Sequence, residues 1–324
     1  QFPGVYAIDF SSDGRTVIAT TRRGAVYWQS NDEIETERAI DQDDMKVVTQ
    51  AGSLVVFEEK EPRRLVFWDA AAREVVRIVD QLDQLPEVFN VVAKGAGKKS
   101  KMPFPSVRIN ALSPHGDWIA VHSRVKGKDT LHLFDLAKDK SWIIERDCLM
   151  MNFRTSPDGS LLAIGQSRGG LKNSGTIELI SADSGEHIML LTVLEAAENQ
   201  RPGIVQSQFE FSPDGRHLVV AIRGRLQVWD LTTGERMANI EDAGDVRQVA
   251  ISGSAKWVAG VRPKSPIQLW NVTEPQKSLL LEPGGNAQAL MFSPEGQEVV
   301  ALLKGGQLRV WNFALQATPI DERP

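Results

Sequence analysis

The sequence predicts an all-β chain, a seven-bladed β-propeller of four-stranded antiparallel blades. The stretch Phe211 to Glu241 (FSPDGRHLVVAIRGRLQVWDLTTGERMANIE) reads as a turn, an apolar strand, a short loop, a strand ending in Trp229-Asp230, a second turn and a third strand. Variants of it recur. The anchors Trp28, Trp68, Phe134, Ile180, Trp229, Trp270 and Trp311 follow one another at intervals of 40, 66, 46, 49, 41 and 41 residues. No copy can bury both faces of its sheet alone, so neighbouring copies must stack on it, and a period of roughly 40–45 residues is that of four-stranded propeller blades.

Each element of the unit has a local cause. Pro213 presets φ for a turn, and Asp214-Gly215 tolerates the positive φ that closes it. Leu218 to Ile222 is apolar at every position, as in a strand covered on both faces. Leu226-Gln227-Val228-Trp229 alternates, and its Trp is wide enough to bridge two stacked sheets. Related turns are Ser12-Asp13-Gly14, Ser113-Pro114-His115-Gly116, Ser156-Pro157-Asp158-Gly159, Ser252-Gly253-Ser254-Ala255 and Ser293-Pro294-Glu295-Gly296; the second copy keeps only Ala51-Gly52.

The predicted blades span about 5–40, 45–79, 107–145, 150–191, 205–241, 246–282 and 287–321. Three insertions interrupt them: 80–106, with a short helix expected over 82–92 and a Gly- and Lys-rich run at 94–101; 166–175, lengthening a hairpin; and 192–203. The outer strand of the last blade falls at 317–321, where Pro319 removes one ladder donor, unless a missing segment or a partner adds a strand there. The start at Gln1, directly before a strand, leads us to expect a piece of a longer protein.

At these turns and anchors the chain resembles the WD40-repeat β-propeller family over essentially its whole length. It is a divergent, tetrad-poor version: it has no Gly-His dipeptide, and the turn Arg223-Gly224-Arg225 lacks the Asp of the family's hydrogen-bond tetrad. The resemblance implies a scaffold whose top-face rim binds peptides. The equivalent rim positions here are Tyr6, Arg108, Met151, Ser207, Arg247 and Gln288.

A hydrophobic content of 42% supplies an ample core. The single cysteine excludes an intramolecular disulfide framework and fits a reducing, cytoplasmic setting. The longest apolar run, about Ile188 to Leu194, is far short of the ~20 residues of a membrane span. A net charge of −5 argues against a generic nucleic-acid binder.

Reactive chemistry is scarce, and no cofactor or metal is expected. Arg154 and Glu210, two residues before the turn serines of adjacent blades, are expected to form a channel salt bridge or, alternatively, a ligand clamp. His122 and His132 flank one hairpin and stand as a candidate zinc pair against the reading of ordinary satisfied histidines. Cys148 has no assignable base, and Asp41-Gln42-Asp43-Asp44 lacks the spacing of a calcium loop.

The strongest pattern is charge on one face. Loops between second and third strands carry Arg22-Arg23, Arg124 with Lys126 and Lys128, Arg168 with Lys172, Arg223 with Arg225, Arg262 with Lys264, and Lys304. Glu241, Asp242 and Asp245 in the neighbouring connections oppose them. The expected function is a non-catalytic interaction module, scaffold or sensor, that takes another protein or an acidic peptide on this face. Tyr6, Arg22, Arg23, Arg108, Arg124, Lys126, Arg168, Arg223, Arg247 and Arg262 are the candidate partner-binding residues. The competing readings are an anion- or nucleic-acid-binding propeller, with nucleic acid disfavoured by the scarcity of aromatic residues in these loops, and a hydrolase- or lactonase-like enzyme.

Overall fold

The computed structural model describes residues 5–10, 16–21, 24–29, 37–38, 45–51, 54–60, 63–69, 72, 74–80, 109–125, 128–136, 138, 140–146, 149–168, 174–194, 207–282, 287–304 and 307–313. Among these are six four-stranded antiparallel sheets and one of three strands. Blade 1 holds β1 (Val5–Phe10), β2 (Thr16–Thr21), β3 (Gly24–Gln29) and β4 (Glu37–Arg38). Blade 2 holds β5 (Met45–Ala51), β6 (Leu54–Lys60), β7 (Arg63–Asp69) and β8 (Glu74–Val79). Blade 3 holds β9 (Ile109–Leu112), β10 (Trp118–Val125), β11 (Lys128–Asp135) and β12 (Lys140–Arg146). Blade 4 holds β13 (Leu149–Thr155), β14 (Leu161–Arg168), β15 (Ser174–Ser181) and β16 (His187–Leu194). Blade 5 holds β17 (Gln208–Phe211), β18 (His217–Ile222), β19 (Arg225–Asp230) and β20 (Arg236–Ile240). Blade 6 holds β21 (Gln248–Ile251), β22 (Trp257–Val261), β23 (Ile267–Asn271) and β24 (Ser278–Leu281). The three-stranded sheet is β25 (Ala287–Phe292), β26 (Glu298–Leu303) and β27 (Gln307–Asn312).

The first strands of successive sheets contact one another in chain order, and β25 returns to β1, which closes the ring. The seam is apolar: Ile8, Val17 and Ala19 of blade 1 pack on Val300 and Leu302 of β26. Every predicted anchor sits at the same place on a third strand, opposite an apolar residue of the second: Trp28 to Val17, Trp68 to Val55, Phe134 to Ile119, Ile180 to Leu162, Trp229 to Leu218, Trp270 to Val258 and Trp311 to Val299. The anchors of the later blades turn toward the preceding one. Trp229 joins Ile177, Leu179 and Val193 of blade 4, and Trp270 joins Val219, Leu226 and Val228 of blade 5. Truncating such a side chain to Ala costs about 3–5 kcal/mol, so these contacts dominate blade stacking. Close packing also selects Gly260, where an added Cβ would lie 2.7 Å from Cζ3 of Trp270.

The serine turns share one hydrogen-bond scheme. Ser113, Ser156, Ser212, Ser252 and Ser293 are buried. Each donates its amide to the carbonyl five residues on, and the residue three on donates back to the serine carbonyl. In four of them the serine Oγ accepts the amide that opens the second strand: Leu161 at 2.9 Å, His217 at 3.0 Å, Trp257 at 3.1 Å and Glu298 at 3.2 Å. The serine is therefore a structural donor-acceptor, which is why it recurs where Pro and Asp do not.

Several boundaries differ from expectation. Residues 166–168 and 174–175 belong to β14 and β15, with Arg168 opposite Ser174, so the hairpin is extended strand where a loop was expected. β16 likewise runs on to Leu194, through the start of the expected 192–203 insertion. In blade 1, β4 is described over Glu37–Arg38, and the rest of the expected strand near 37–40 lies outside the described residues. The expected helix at 82–92, the Lys-rich run at 94–101 and the outer strand at 317–321 lie outside the described residues.

Candidate functional site

The side of the ring that carries the loops between second and third strands is best defined at blades 5 and 6. Ile222 pairs with Arg225 across a two-residue hairpin whose central residues, Arg223 and Gly224, have φ of 48° and 79°. That is a type I′ turn, with a twist that matches the strands but favours Asn-Gly. Beside it the connection from β20 to β21 turns back through Asp242 (φ 57°) and Gly244 (φ 76°) and is held down by buried Ala243 and Val246. The hairpin and this connection line an open pocket of about 360 Å³ made by Arg223, Gly224, Arg225, Glu241, Asp242 and Gly244. Arg262, from the next hairpin, runs past Gly244: a Cβ there would meet its Cδ at 3.2 Å. Its Nη2 donates to Gln268 Oε1 at 2.6 Å, and exposed Lys264 follows with φ of 57°.

Charge here is mixed. Arg225 pairs with Glu241 at 2.6 Å and Arg247 with Asp245 at 3.2 Å, all four side chains being more than half exposed. Pairs this open to water contribute at most about 1 kcal/mol each and leave the guanidinium groups able to exchange partners. The opposition of Glu241 and Asp245 to the basic loops is therefore real geometry at this end of the face. Among the other candidates, Tyr6, Arg124 and Arg168 lie on β1, β10 and β14; the latter two are at strand ends on this side, and only their backbone is described. Arg22, Arg23, Arg108 and Lys126 lie outside the described residues, as do Lys172, Cys148 and Asp41 to Asp44. Of the rim positions, Arg247 is exposed and Gln288 is exposed on β25, while Ser207 is buried.

On the inner edge Arg154 Nε donates to Glu210 Oε2 at 2.7 Å, the expected pair between adjacent blades. Both are more than a third exposed, so water screens the attraction. Asn152 donates to the Ser207 carbonyl across the same two blades. Asn110 Oδ1 accepts the His122 amide at 3.0 Å, beside the register shift of β9 on β10, and serves the backbone.

The zinc pair fails on strand geometry. His122 is paired with Leu131 and His132 with Val121, so the two imidazoles point to opposite faces of the sheet. His122 packs on Phe153 of blade 4 at 5.4 Å and lies 3.5 Å from Asp129. His132 lies over Phe134, and burial pushes its pKa below the ordinary value, which favours the neutral ring. No group of three or more His, Cys, Asp or Glu residues suited to a metal occurs among the described residues.

Sequence reasoning missed a polar layer between blades. The residue two before each anchor faces the preceding blade; in blades 3 to 6 it is His132, Glu178, Gln227 and Gln268. Gln227 donates to the Val193 carbonyl at 3.1 Å and accepts from Trp229 Nε1 at 3.3 Å. Glu178 takes Arg146 of blade 3 in a two-point contact at 2.6 and 2.9 Å, with Gln166 and His187 also on its oxygens. Burial opposes its charge, yet these donors outweigh burial and hold its pKa below the usual carboxylate range. Buried Asp129 adds a second tie by accepting the Met150 amide at 2.6 Å. The available signal was a polar side chain two places before the anchors of blades 3 to 6, where blades 1 and 2 have Val26 and Val66.

No protein-family model matches the chain, and no curated protein matches it in sequence. Solved structures do match it. A chain of a mitotic checkpoint complex has a TM-score of 0.60 at 15% identity, covering 96% of this chain and 89% of that one. The β-propeller domain of Myceliophteria thermophila Cps50 (Swd1) has a TM-score of 0.61 at 13% identity, covering 96% and 97%. Kuenenia stuttgartiensis hydrazine synthase has a TM-score of 0.61 at 12% identity, covering 96% and 96%. At these identities the likeness concerns the fold, and the fold of this chain is a β-propeller.

Proposed function

We propose that this chain is a non-catalytic protein-interaction module, a divergent WD40-like propeller that displays a binding surface on its top face. The three-stranded sheet counts as the seventh blade in this reading. Residue placement at blades 5 and 6 carries the reading. Of the four non-glycine residues with positive φ among those described, three are charged: Arg223 and Asp242 line one opening, and Lys264 lies in the next hairpin. Non-glycine residues held there cost about 1–3 kcal/mol each and persist where the surroundings impose them, commonly at functional sites. A stiff ring lowers the ordering cost of binding, because the loops are already fixed by buried Ala243 and Val246.

The partner is an acidic or phosphorylated segment that displaces Glu241 from Arg225 and Asp245 from Arg247 and is also met by Arg223 and Arg262. Arg22, Arg23, Arg108, Arg124, Lys126 and Arg168 extend the surface around the face in this reading, with Tyr6 at the rim. Fluorescence anisotropy with labelled Glu-rich and phosphoserine peptides tests it. The double variant Arg223→Glu/Arg247→Glu should bind at least about tenfold more weakly, and binding should weaken as salt rises. Arg216→Glu, on an exposed turn of the opposite face, should change affinity less than about twofold. Absence of binding, or equal losses in both variants, contradicts the assignment.

A further inference from the structure

The two faces of the ring carry opposite charge. On the top face the described loops of blades 5 and 6 hold five cations, Arg223, Arg225, Arg247, Arg262 and Lys264, against three acids, Glu241, Asp242 and Asp245. On the other face the balance inverts. The described turns of blades 4 and 5 hold six acids, Asp158, Asp183, Glu186, Asp214, Asp230 and Glu235, against two cations, Arg216 and Arg236.

Two of those acids hold one position in a repeated turn. The amides of Ser181 and Asp230 donate to the carbonyls of Glu186 and Glu235 at 2.9 and 3.0 Å, and the amides of Gly185 and Gly234 donate back to Ser181 and Asp230 at 2.8 Å. The hydroxyls of Ser184 and Thr233 accept the amides of Glu186 and Glu235 at 3.3 and 3.2 Å, so both glutamates leave the surface from the same rigid frame. Asp183 takes Lys138 of blade 3, whereas Glu186 and Glu235 are exposed and form no ion pair among the described residues. Exposed Lys140 and Lys277 hold the matching place at the start of the fourth strand in blades 3 and 6, so the acidic patch ends there.

We propose that the acidic partner of the top face is the opposite face of a second copy of this chain, so that copies stack head to tail with blades 4 and 5 of one over blades 5 and 6 of the next. Charge complementarity selects this occupant. Each face supplies the charge that the other lacks, and a second copy answers both at once. Both patches are set on hydrogen-bonded turns or buried anchors, so little freedom is lost when they meet. The two patches are different surfaces, which makes the contact heterologous: each added copy leaves one free patch at either end, and the stack grows. Attraction between exposed charges holds it, so it weakens as salt rises. The proposal rests on the top-face reading and names the partner of that same surface.

Sedimentation velocity tests the stack. At about 25 mM salt and protein up to about 200 μM, the wild type should sediment faster with concentration, beyond a dimer, and return to monomer at about 300 mM salt. Arg223→Glu/Arg247→Glu and Glu186→Lys/Glu235→Lys should each stay monomeric, the first because both its faces are then acidic, the second because its acidic patch is neutralised. An equimolar mixture of the two should give a one-to-one dimer and nothing larger, since a single pairing of intact patches remains. A wild type that stays monomeric or stops at a closed dimer, a variant that still grows alone, or a mixture that stays monomeric overturns the proposal. The Glu186→Lys/Glu235→Lys variant should bind the labelled acidic peptides within about twofold of wild type. Peptide binding without stacking therefore removes the second copy and leaves the top-face reading standing, whereas loss of peptide binding in the wild type removes both.

Discussion

Glu178 sits between blades 3 and 4 with Arg146, Gln166 and His187 all directed at its carboxylate. Its pKa is lower in the folded chain than in the unfolded one, so the stability it contributes is present above about pH 4.3 and is lost as pH falls through the folded value. Glu178→Gln should lower unfolding stability at pH 7 by about 1–3 kcal/mol, because charged hydrogen bonds are lost and Arg146 is left facing a neutral amide. The gap between variant and wild type should close as the pH is taken below about 4, in urea unfolding across that range. A gap that stays constant to low pH would show that the carboxylate does not act as an anion there. Asp158 follows the same logic on a smaller scale: burial works against its charge, and the Ser156 and Ser160 donors hold its pKa down.

At the scale of strands and turns, the same backbone conformation is filled in two ways. Gly215 closes its turn at φ 71°, whereas Ala255 closes the equivalent turn at 53°. A Cβ on Gly215 would meet only Pro157 Cδ at 3.6 Å, so packing permits alanine there and backbone strain alone opposes it. Gly215→Ala should therefore cost about 1–2 kcal/mol, read from the denaturation midpoint, and no loss would mean that the turn relaxes. Ala255 tolerates the strain because its methyl is buried in the blade 5–6 core.

Trp-type anchors and serine turns were legible because one chemistry recurs at them: a wide ring to span two sheets, and a hydroxyl to take the next strand's amide. His132, Glu178, Gln227 and Gln268 were not legible because their side chains share a position and no chemistry. Residues 166–168 and 174–175 read as loop because Gly and Ser are poor strand formers, and pairing across the hairpin overrode that preference. The charge pattern was visible, but the pairing of Arg225 with Glu241 required the fold.

For the whole molecule, the contacts describe a closed ring in which cores lie between blades as well as within them. Such a body transmits little motion from one face to the other, so a partner on the top face is met by fixed loops and need not induce a change elsewhere. The hairpin at Arg223 and the connection through Asp242 to Arg247 form the best-defined part of that face.

Hydrogen exchange on the protein with and without a saturating acidic peptide tests this account most directly. Protection should rise at 222–225, 241–247 and 261–265 and stay unchanged at the serine turns of the opposite face. Protection spread through the blades, or confined to the inner edge around Arg154 and Glu210, would contradict a rigid display surface at blades 5 and 6.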